Sequence, residues 1–201
     1  MKVCQIEKIG KGENCRVLLE NGFSLILSME TIYKSSLCVG AEISEEKLSQ
    51  IHIENEKGKA FDKAIKLLSK VGKSKKEVKE YLLQKGYLPQ VVEFTIAKLE
   101  EYKYLNDELF AKDFVSCNKN LKGKKMISYL LAQKGINKEI IDNALLDFNE
   151  FSPALKIAEK YMKNKDYDYK NKQKLYAHLL AKGYCYGTCS AVVDEIFADG
   201  D

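Results

Sequence analysis

The feature that most constrains this chain is an internal repeat that occurs three times. A Lys-Gly pair stands at Lys85-Gly86, Lys134-Gly135 and Lys182-Gly183, so the glycines are 49 and 48 residues apart. Apolar side chains recur four residues before each glycine and ten and thirteen after it: Leu82, Leu131 and Leu179; Ile96, Leu145 and Val193; Leu99, Phe148 and Ile196. Units of this length bury their apolar faces against one another, so we expect them to stack into an elongated, curved array.

The first copy predicts three helices for each repeat. Ser74 and Glu77 form a capping box that opens the second helix, and the Lys-Gly pair ends it. Asn106 and Asp107 precede the second copy, where a short polar side chain can cap the next helix. Gly72 is predicted to end the first helix, whose apolar face consists of Phe61, Ala64, Ile65, Leu68 and Val71.

Residues 1–55 carry strand signals instead. Asn21-Gly22, between apolar runs at 16–19 and 23–27, is typical of a tight β-hairpin. Two short helices are predicted around 28–34 and 44–54, the second capped by Ser44, and residues 55–59 are interpreted as an exit linker. The predicted fold is mainly α: a small β-rich N-terminal module at 1–55, followed by tandem three-helix repeats at 60–105, 106–150 and 153–198.

Composition excludes several classes of protein. The chain has 201 residues, of which 45% are hydrophobic and 31% charged, as in globular rather than disordered proteins. It contains no apolar run of about eighteen residues and no signal-peptide core, so we expect a cytoplasmic protein without a membrane partner. Six cysteines without a CxxC pair fit neither a disulfide scaffold nor a zinc site. We expect a monomer with no metal or cofactor.

No catalytic constellation is found. Gly72-Lys73-Ser74 resembles the end of a phosphate-binding loop, but Leu67 stands where that loop requires a glycine. A helix end followed by an N-cap serine is the favoured interpretation. Gly10-Lys11-Gly12 lacks the third glycine of a dinucleotide fingerprint, and neither His52 nor His178 has a nucleophile beside it in sequence. The chain is therefore predicted to be non-enzymatic.

Positive charge is concentrated in the repeats. Residues 1–55 contain six basic and eight acidic residues, and residues 56–201 contain 27 and 21, which gives net charges of −2 and +6. If the lysine clusters align along one edge of the array, that edge would suit binding to a polyanion or to an acidic protein face. The alternative interpretation is that the clusters are solvated loop surface without a binding role. The clusters occur where each first helix leads into the second: Lys73, Lys75, Lys76 and Lys79; Lys119, Lys122, Lys124 and Lys125; Lys163, Lys165, Lys170, Lys172 and Lys174, with Tyr167 and Tyr169.

One stretch resembles the RecX family, the regulators of the RecA recombinase. It runs Tyr104-Leu105-Asn106-Asp107-Glu108-Leu109-Phe110-Ala111-Lys112-Asp113-Phe114-Val115 and is followed by Leu130-Leu131-Ala132-Gln133-Lys134-Gly135-Ile136. Residues 77–87 are similar to the family's opening repeat, and the resemblance covers about 60–201. Members usually carry arginines where this chain has Cys117, Asn118 and Lys119.

The resemblance implies three three-helix repeats, no enzymatic activity, and binding to RecA–DNA filaments with inhibition of filament extension, ATP hydrolysis and strand exchange. It would place the chain in DNA repair, homologous recombination and the SOS response. Two other classes stay open: a module that applies its lysines directly to single- or double-stranded DNA, and a helical-repeat scaffold. Binding to bare DNA as strong as binding to filaments would favour the DNA-binding module.

Overall fold

Three antiparallel strands form the N-terminal sheet: β1 (Val3–Lys8), β2 (Asn14–Leu19) and β3 (Ser24–Ser28), in that order. The computed structural model describes residues 1–198. Asn21-Gly22 lies in the turn between β2 and β3, with Gly22 at a φ of +80°, which confirms the predicted hairpin. The core beneath the sheet consists of Val3, Val17, Leu19, Leu27, Ile43 and Ile51.

Two helices follow the sheet, α1 (Met29–Lys34) and α2 (Glu45–Leu68), and Ser44 caps the second as predicted. The predicted linker at 55–59 is wrong, because α2 runs through it as one helix of 24 residues. Ion pairs at a spacing of three residues, Lys57 with Glu54 and Lys59 with Glu56, each at 3.1 Å, favour the helix in this polar stretch.

Asn55, which the sequence places in that linker, covers the open edge of the sheet. Its Oδ1 accepts the backbone N–H of Ser28 at 2.8 Å, and its Nδ2 donates to the carbonyl of Ile26 at 3.1 Å. Edge strands leave such groups without partners unless another element supplies them. The buried Asn55 therefore ties α2 to β3.

The end of α2 also differs from the prediction. The helix ends at Leu68 with Ser69 as its C-cap, so Gly72 does not end it. The prediction that Val71 lies on the buried face is wrong: it lies beyond the last turn of α2 and is 52% exposed.

Eight further helices complete the three repeats, and α2 supplies the first helix of the first one. They are α3 (Lys75–Gln84), α4 (Pro89–Glu101), α5 (Asp107–Asn118), α6 (Lys124–Gln133), α7 (Lys138–Leu145), α8 (Phe151–Met162), α9 (Tyr169–Ala181) and α10 (Tyr186–Ala198). In each repeat the first and third helices pack together: α2 with α4, α5 with α7, and α8 with α10. The apolar residues at the repeated positions are buried, except the half-buried Ile196. The predicted three-helix repeats are confirmed.

The chain divides into two compact units. The first comprises residues 1–71 and 78–104, and the second comprises 72–77 and the residues from 105 onward. The curved stacking of the repeats stays a prediction. Within residues 1–198, every helix is too short or too polar to cross a membrane.

Candidate functional site

The Lys-Gly pair of the third repeat docks on the start of α6, the second helix of the repeat before it. The backbone N–H of Gly123 donates to the carbonyl of Lys182, and that of Lys125 donates to the carbonyl of Gly183, each at 3.0 Å. A Cβ atom at Gly123 would overlap the backbone of Gly183 and Tyr184. We call this contact, formed by Gly123, Lys125, Lys182, Gly183 and Tyr184, the Gly123 junction.

The Lys-Gly pair of the second repeat docks at the equivalent place, the start of α3, through side-chain contacts. The Oγ of Ser74 donates to the carbonyl of Lys134 at 2.7 Å, and the Nζ of Lys134 lies 2.8 Å from a carboxylate oxygen of Glu77. Gly135 has a φ of +80°, and a Cβ there would lie 2.6 Å from the Lys76 side chain. We call the set Ser74, Lys76, Glu77, Lys134 and Gly135 the Ser74 junction.

An acidic residue at the N-terminal end of the next repeat's first helix, Asp107 of α5 or Glu150 before α8, completes the helix start at each junction. Asp107 accepts the backbone N–H of Lys75 at 2.8 Å, and Glu150 accepts that of Lys124. The cap predicted for α5 at Asn106 and Asp107 is confirmed at Asn106, whereas Asp107 binds the start of α3. Asn106 caps α5, since its side chain accepts the backbone N–H of Leu109 at 3.0 Å.

Glu150 is the most buried carboxylate in residues 1–198, at 5% exposure. It also accepts the backbone N–H of Cys185 and the hydroxyl of Thr188, each at 3.3 Å. Burial and the nearby charge of Glu150 raise the pKa of Tyr184 to about 12 and that of Cys189 to about 11. A thiol with so high a pKa is a weak nucleophile, so this cluster is suited to holding the repeats together rather than to catalysis.

The pKa of Glu77 is shifted in the opposite direction, to a lower value. Burial acts to raise its pKa, but hydrogen bonds from Lys134, the backbone of Ser74 and Lys73 outweigh burial, and the pKa is lowered. The reciprocal bonds between Ser74 and Glu77, at 3.1 and 3.2 Å, confirm the predicted capping box.

Many of the predicted lysines bind within the chain. Lys73 pairs with Glu77 at 3.2 Å, Lys79 with Glu93, Lys122 with Asn118 at 2.8 Å, Lys172 with Asp194 at 3.1 Å, and Lys76 with the carbonyl of Gln133 at 3.1 Å. Lys75 is the first residue of α3, and its backbone N–H donates to the side chain of Asp107. Within residues 1–198, the side chains of Lys119, Lys124, Lys170 and Lys174 make no hydrogen bond or ion pair. Lys170, Lys172 and Lys174 lie in α9 itself, whereas Lys163 and Lys165 precede it.

The second lysine cluster forms a basic and aromatic surface on the second unit. The Nζ of Lys125 lies 3.8 Å from the ring centroid of Tyr186, which is 64% exposed. Lys124 and Lys125 line a shallow depression with Tyr129 and Leu146, of about 590 Å³. We call Lys124, Lys125, Tyr129, Leu146 and Tyr186 the α6 surface.

Sequence reasoning missed the uncharged members of this surface. Tyr129 follows Lys125 by four residues, one helical turn, so its position could have been read from the helix period. Leu146 follows the end of α7 and Tyr186 begins α10, and only the fold brings Tyr186 to Lys125. The sequence predicts Lys134 only as part of a helix end, whereas in the structure its ammonium pairs with Glu77.

These features define a tandem three-helix repeat protein in which Lys-Gly pairs dock on the starts of α3 and α6. The sequence matches three RecX three-helix domains: the first over residues 60–99, the second over 106–145 and the third over 150–193. The chain belongs to the RecX family.

Similar proteins agree with that assignment. The chain is 34% identical to the regulatory protein RecX of Clostridium beijerinckii over 98% of this chain and 96% of that protein. It is 32% identical to the RecX of Bacillus subtilis, over 94% of this chain and 74% of that protein. A crystal structure of RecX from Lactobacillus salivarius is 27% identical, with a TM-score of 0.66 over 71% of this chain and 97% of that one. Another RecX crystal structure matches in fold with a TM-score of 0.76 at 24% identity, over 98% of both chains.

Proposed function

We propose that this protein is a non-enzymatic regulator that binds RecA–DNA filaments and inhibits filament extension, ATP hydrolysis and strand exchange. Its membership of a family whose relatives are named regulatory proteins is the observation that carries the proposal. It acts in the cytoplasm as a monomer, in DNA repair, homologous recombination and the SOS response. The module at 1–55 and the repeats at 60–105, 106–150 and 153–198 act as its structural units.

The α6 surface is the part of the second unit best suited to the filament. Lys124 is half-buried and its ammonium forms no ion pair within residues 1–198, and Lys125 is held over the Tyr186 ring rather than by a carboxylate. Both ammonium groups can therefore bind phosphate or acidic side chains without first breaking an internal ion pair. Tyr129 and Leu146 supply adjacent apolar contact area.

The deciding experiment is the RecA ATPase on single-stranded DNA, with and without this protein. We expect ATP hydrolysis to fall as the protein is added. The pair of substitutions Lys124→Ala and Lys125→Ala should weaken the inhibition by about tenfold or more, the loss of two charge contacts. Lys156→Ala with Lys160→Ala removes the same charge from an exposed face of α8 and is the matched control. An unchanged ATPase rate with the unmodified protein refutes the proposal.

Direct binding to DNA is the second candidate, supported by the exposed Lys119, Lys170 and Lys174, which have no partner in residues 1–198. Each phosphate contact on a single strand contributes a salt slope of about −0.7. Replacing Lys122, Lys124 and Lys125 by alanine should flatten the slope by roughly two units if all three touch phosphate. The matched control replaces the exposed Lys138, Lys156 and Lys160. A full slope in the first variant excludes these lysines as phosphate contacts.

A further inference from the structure

Basic and aromatic side chains meet on the third repeat where the ends of α8 and α9 lie together. The rings of Tyr161 and His178 are stacked, with centroids 4.6 Å apart and planes inclined by 26°. The Nζ of Lys165 lies 3.1 Å from the centroid of the Tyr161 ring. Lys182 follows His178 by four residues, one helical turn, and therefore lies on the same side of α9. We call Tyr161, Lys165, His178 and Lys182 the His178 cluster.

The cations of this cluster are not neutralised from within the chain. Among residues 1–198, the side chains of Lys165 and Lys182 make no hydrogen bond and no ion pair. Lys165 lies over the Tyr161 ring, which attracts a cation but leaves its charge in place. Burial and the charges of Lys182 and Lys165 lower the pKa of His178. Lys174, exposed one turn before His178, adds a further positive charge to this side of α9.

The carboxylates of the neighbouring elements are engaged elsewhere or face away. Asp168 caps the opposite end of α9, where it accepts a backbone N–H at 2.6 Å. Asp194 of α10 pairs with Lys172 at 3.1 Å. Glu159 precedes Tyr161 by two residues and therefore lies on another face of α8. The imidazole consequently faces ammonium groups and a phenol, and its surroundings lack a negative charge.

The end of α9 does not oppose an anion at this place. Free carbonyls at the C-terminal end of a helix would repel a negative charge. Here the carbonyls of His178, Leu179 and Leu180 accept backbone N–H groups of residues 182–184, at 2.9 to 3.2 Å. Those acceptors are therefore occupied, and the unpaired lysines dominate the local charge.

We propose that the His178 cluster binds a small dianion, a phosphate ion or a terminal phosphate monoester, with Lys165, Lys182 and the protonated His178 as its donors. A bound dianion removes the repulsion among these cations and favours the charged form of the imidazole. Binding of the anion and protonation of His178 are therefore coupled, and each strengthens the other by the same factor. A nucleic-acid backbone is disfavoured, because its phosphates carry single charges spaced along the chain.

The test follows the two histidines of the full chain by NMR while the pH is varied between about 5 and 8. Sulfate is the probe, because it keeps both negative charges throughout this range, and chloride maintains the ionic strength in the reference series. Saturating sulfate should raise the pKa of His178 by about 1, which corresponds to about tenfold tighter binding to the protonated form. His52, exposed on α2, is the internal control and should keep its pKa.

Substitutions then identify the donors. Lys165→Met and Lys182→Met should each weaken sulfate binding about tenfold, the loss of one hydrogen bond to a charged group. Lys160→Met is the matched control, because Lys160 is an exposed lysine of α8 outside the cluster. His178→Gln should abolish the pH dependence of sulfate binding. The site is contradicted by an unchanged pKa of His178 in sulfate, by an equal shift at His52, or by equal losses in Lys182→Met and Lys160→Met.

Three further ligands identify the source of the dianion. Inorganic phosphate and deoxythymidine monophosphate should both raise the pKa of His178, whereas a thymidine oligonucleotide without terminal phosphates should not. A shift with inorganic phosphate but not with the monophosphate supports the site and assigns it to the free ion. A larger shift with the oligonucleotide than with sulfate would show a contact with the DNA backbone and refute the dianion site. RecA is absent from these assays, so their outcome is independent of the proposed regulation.

Discussion

The two junctions of the second unit bind equivalent Lys-Gly pairs, Lys134-Gly135 and Lys182-Gly183, by different means. At the Ser74 junction, a hydroxyl reaches the carbonyl of Lys134, and the half-buried ion pair of Glu77 with Lys134 lies beside it. At the Gly123 junction, backbone meets backbone so closely that no side chain fits, and the buried Glu150 takes the place of the ion pair. A side-chain contact can adjust to substitution whereas a backbone contact cannot, so the Gly123 junction should be the less tolerant of the two.

The largest expected effect is that of Gly123→Ala. The added methyl overlaps the backbone of Gly183, which forces the third repeat to move and should cost about 3 kcal/mol or more in urea unfolding. Gly187→Ala is the control, because Gly187 lies in α10 with no atom within 4 Å of its added Cβ. It should be neutral or stabilise the chain by up to about 1 kcal/mol. Equal effects of the two substitutions would show that the junction is not tightly packed.

Glu150→Ala should cause the second-largest loss in the free energy of unfolding. Three donors, from Lys124, Cys185 and Thr188, would lose their acceptor in a buried place, at a cost of about 2–3 kcal/mol. Glu150→Gln retains one acceptor oxygen and should cost less. The measurement is the urea midpoint at an unchanged m value, and a midpoint within experimental error of the unmodified chain would contradict the assigned role.

Ser74→Ala should cost about 1 kcal/mol, in the range of a lost helix cap. Ser74 is fully buried, and its hydroxyl binds both Lys134 and the backbone N–H of Glu77. The exposed Ser190, whose hydroxyl lies 3.5 Å from Asp194, is the control, and Ser190→Ala should change the free energy of unfolding by less than about 0.5 kcal/mol. A larger loss in Ser74→Ala than in Gly123→Ala would reverse the order of the two junctions.

At alkaline pH the Gly123 junction should weaken. The pKa of Tyr184 is raised to about 12. The stabilisation that its neutral phenol gives the folded state is therefore complete below the ordinary pKa of about 10 and is lost as the pH rises toward 12. Tyr184→Phe removes that titration and also a hydroxyl with no partner in residues 1–198. The variant should therefore be at least as stable at pH 7 and lose less stability above pH 10. A steeper alkaline loss in the variant would contradict this assignment.

At acid pH the Ser74 junction should weaken, with the smallest effect of the series. The pKa of Glu77 is lowered. The stabilisation that its ionised carboxylate gives the folded state is therefore present above the ordinary pKa of 4.5 and is lost as the pH falls through the lowered pKa. Unfolding free energies measured from neutral to acid pH should decline more steeply in the unmodified chain than in Glu77→Gln. Lys134→Met should move the decline toward pH 4.5, because it removes the strongest stabilising partner of the carboxylate.

The sequence by itself determined the repeat and its buried positions. Leu82, Leu131 and Leu179 were identified by their distance from the glycines, and each is fully buried. The β2–β3 hairpin and the capping box of Ser74 and Glu77 were also predictable. All of these depend on residues close together in the chain, where backbone geometry and the helical period leave few alternatives.

Only the tertiary structure decided where the polar groups find their partners. The polar neighbours of Asn55 predict a linker. In the structure Asn55 is a buried helix residue, because its side chain binds the edge of β3 at Ser28, 27 residues before it. Asp107 has the sequence of a cap for its own helix, yet it binds Lys75, 32 residues before it. Hydrogen bonds and ion pairs form between groups that are close in space. The sequence pattern therefore cannot specify which residue, distant in the chain, will be the partner of a given polar group.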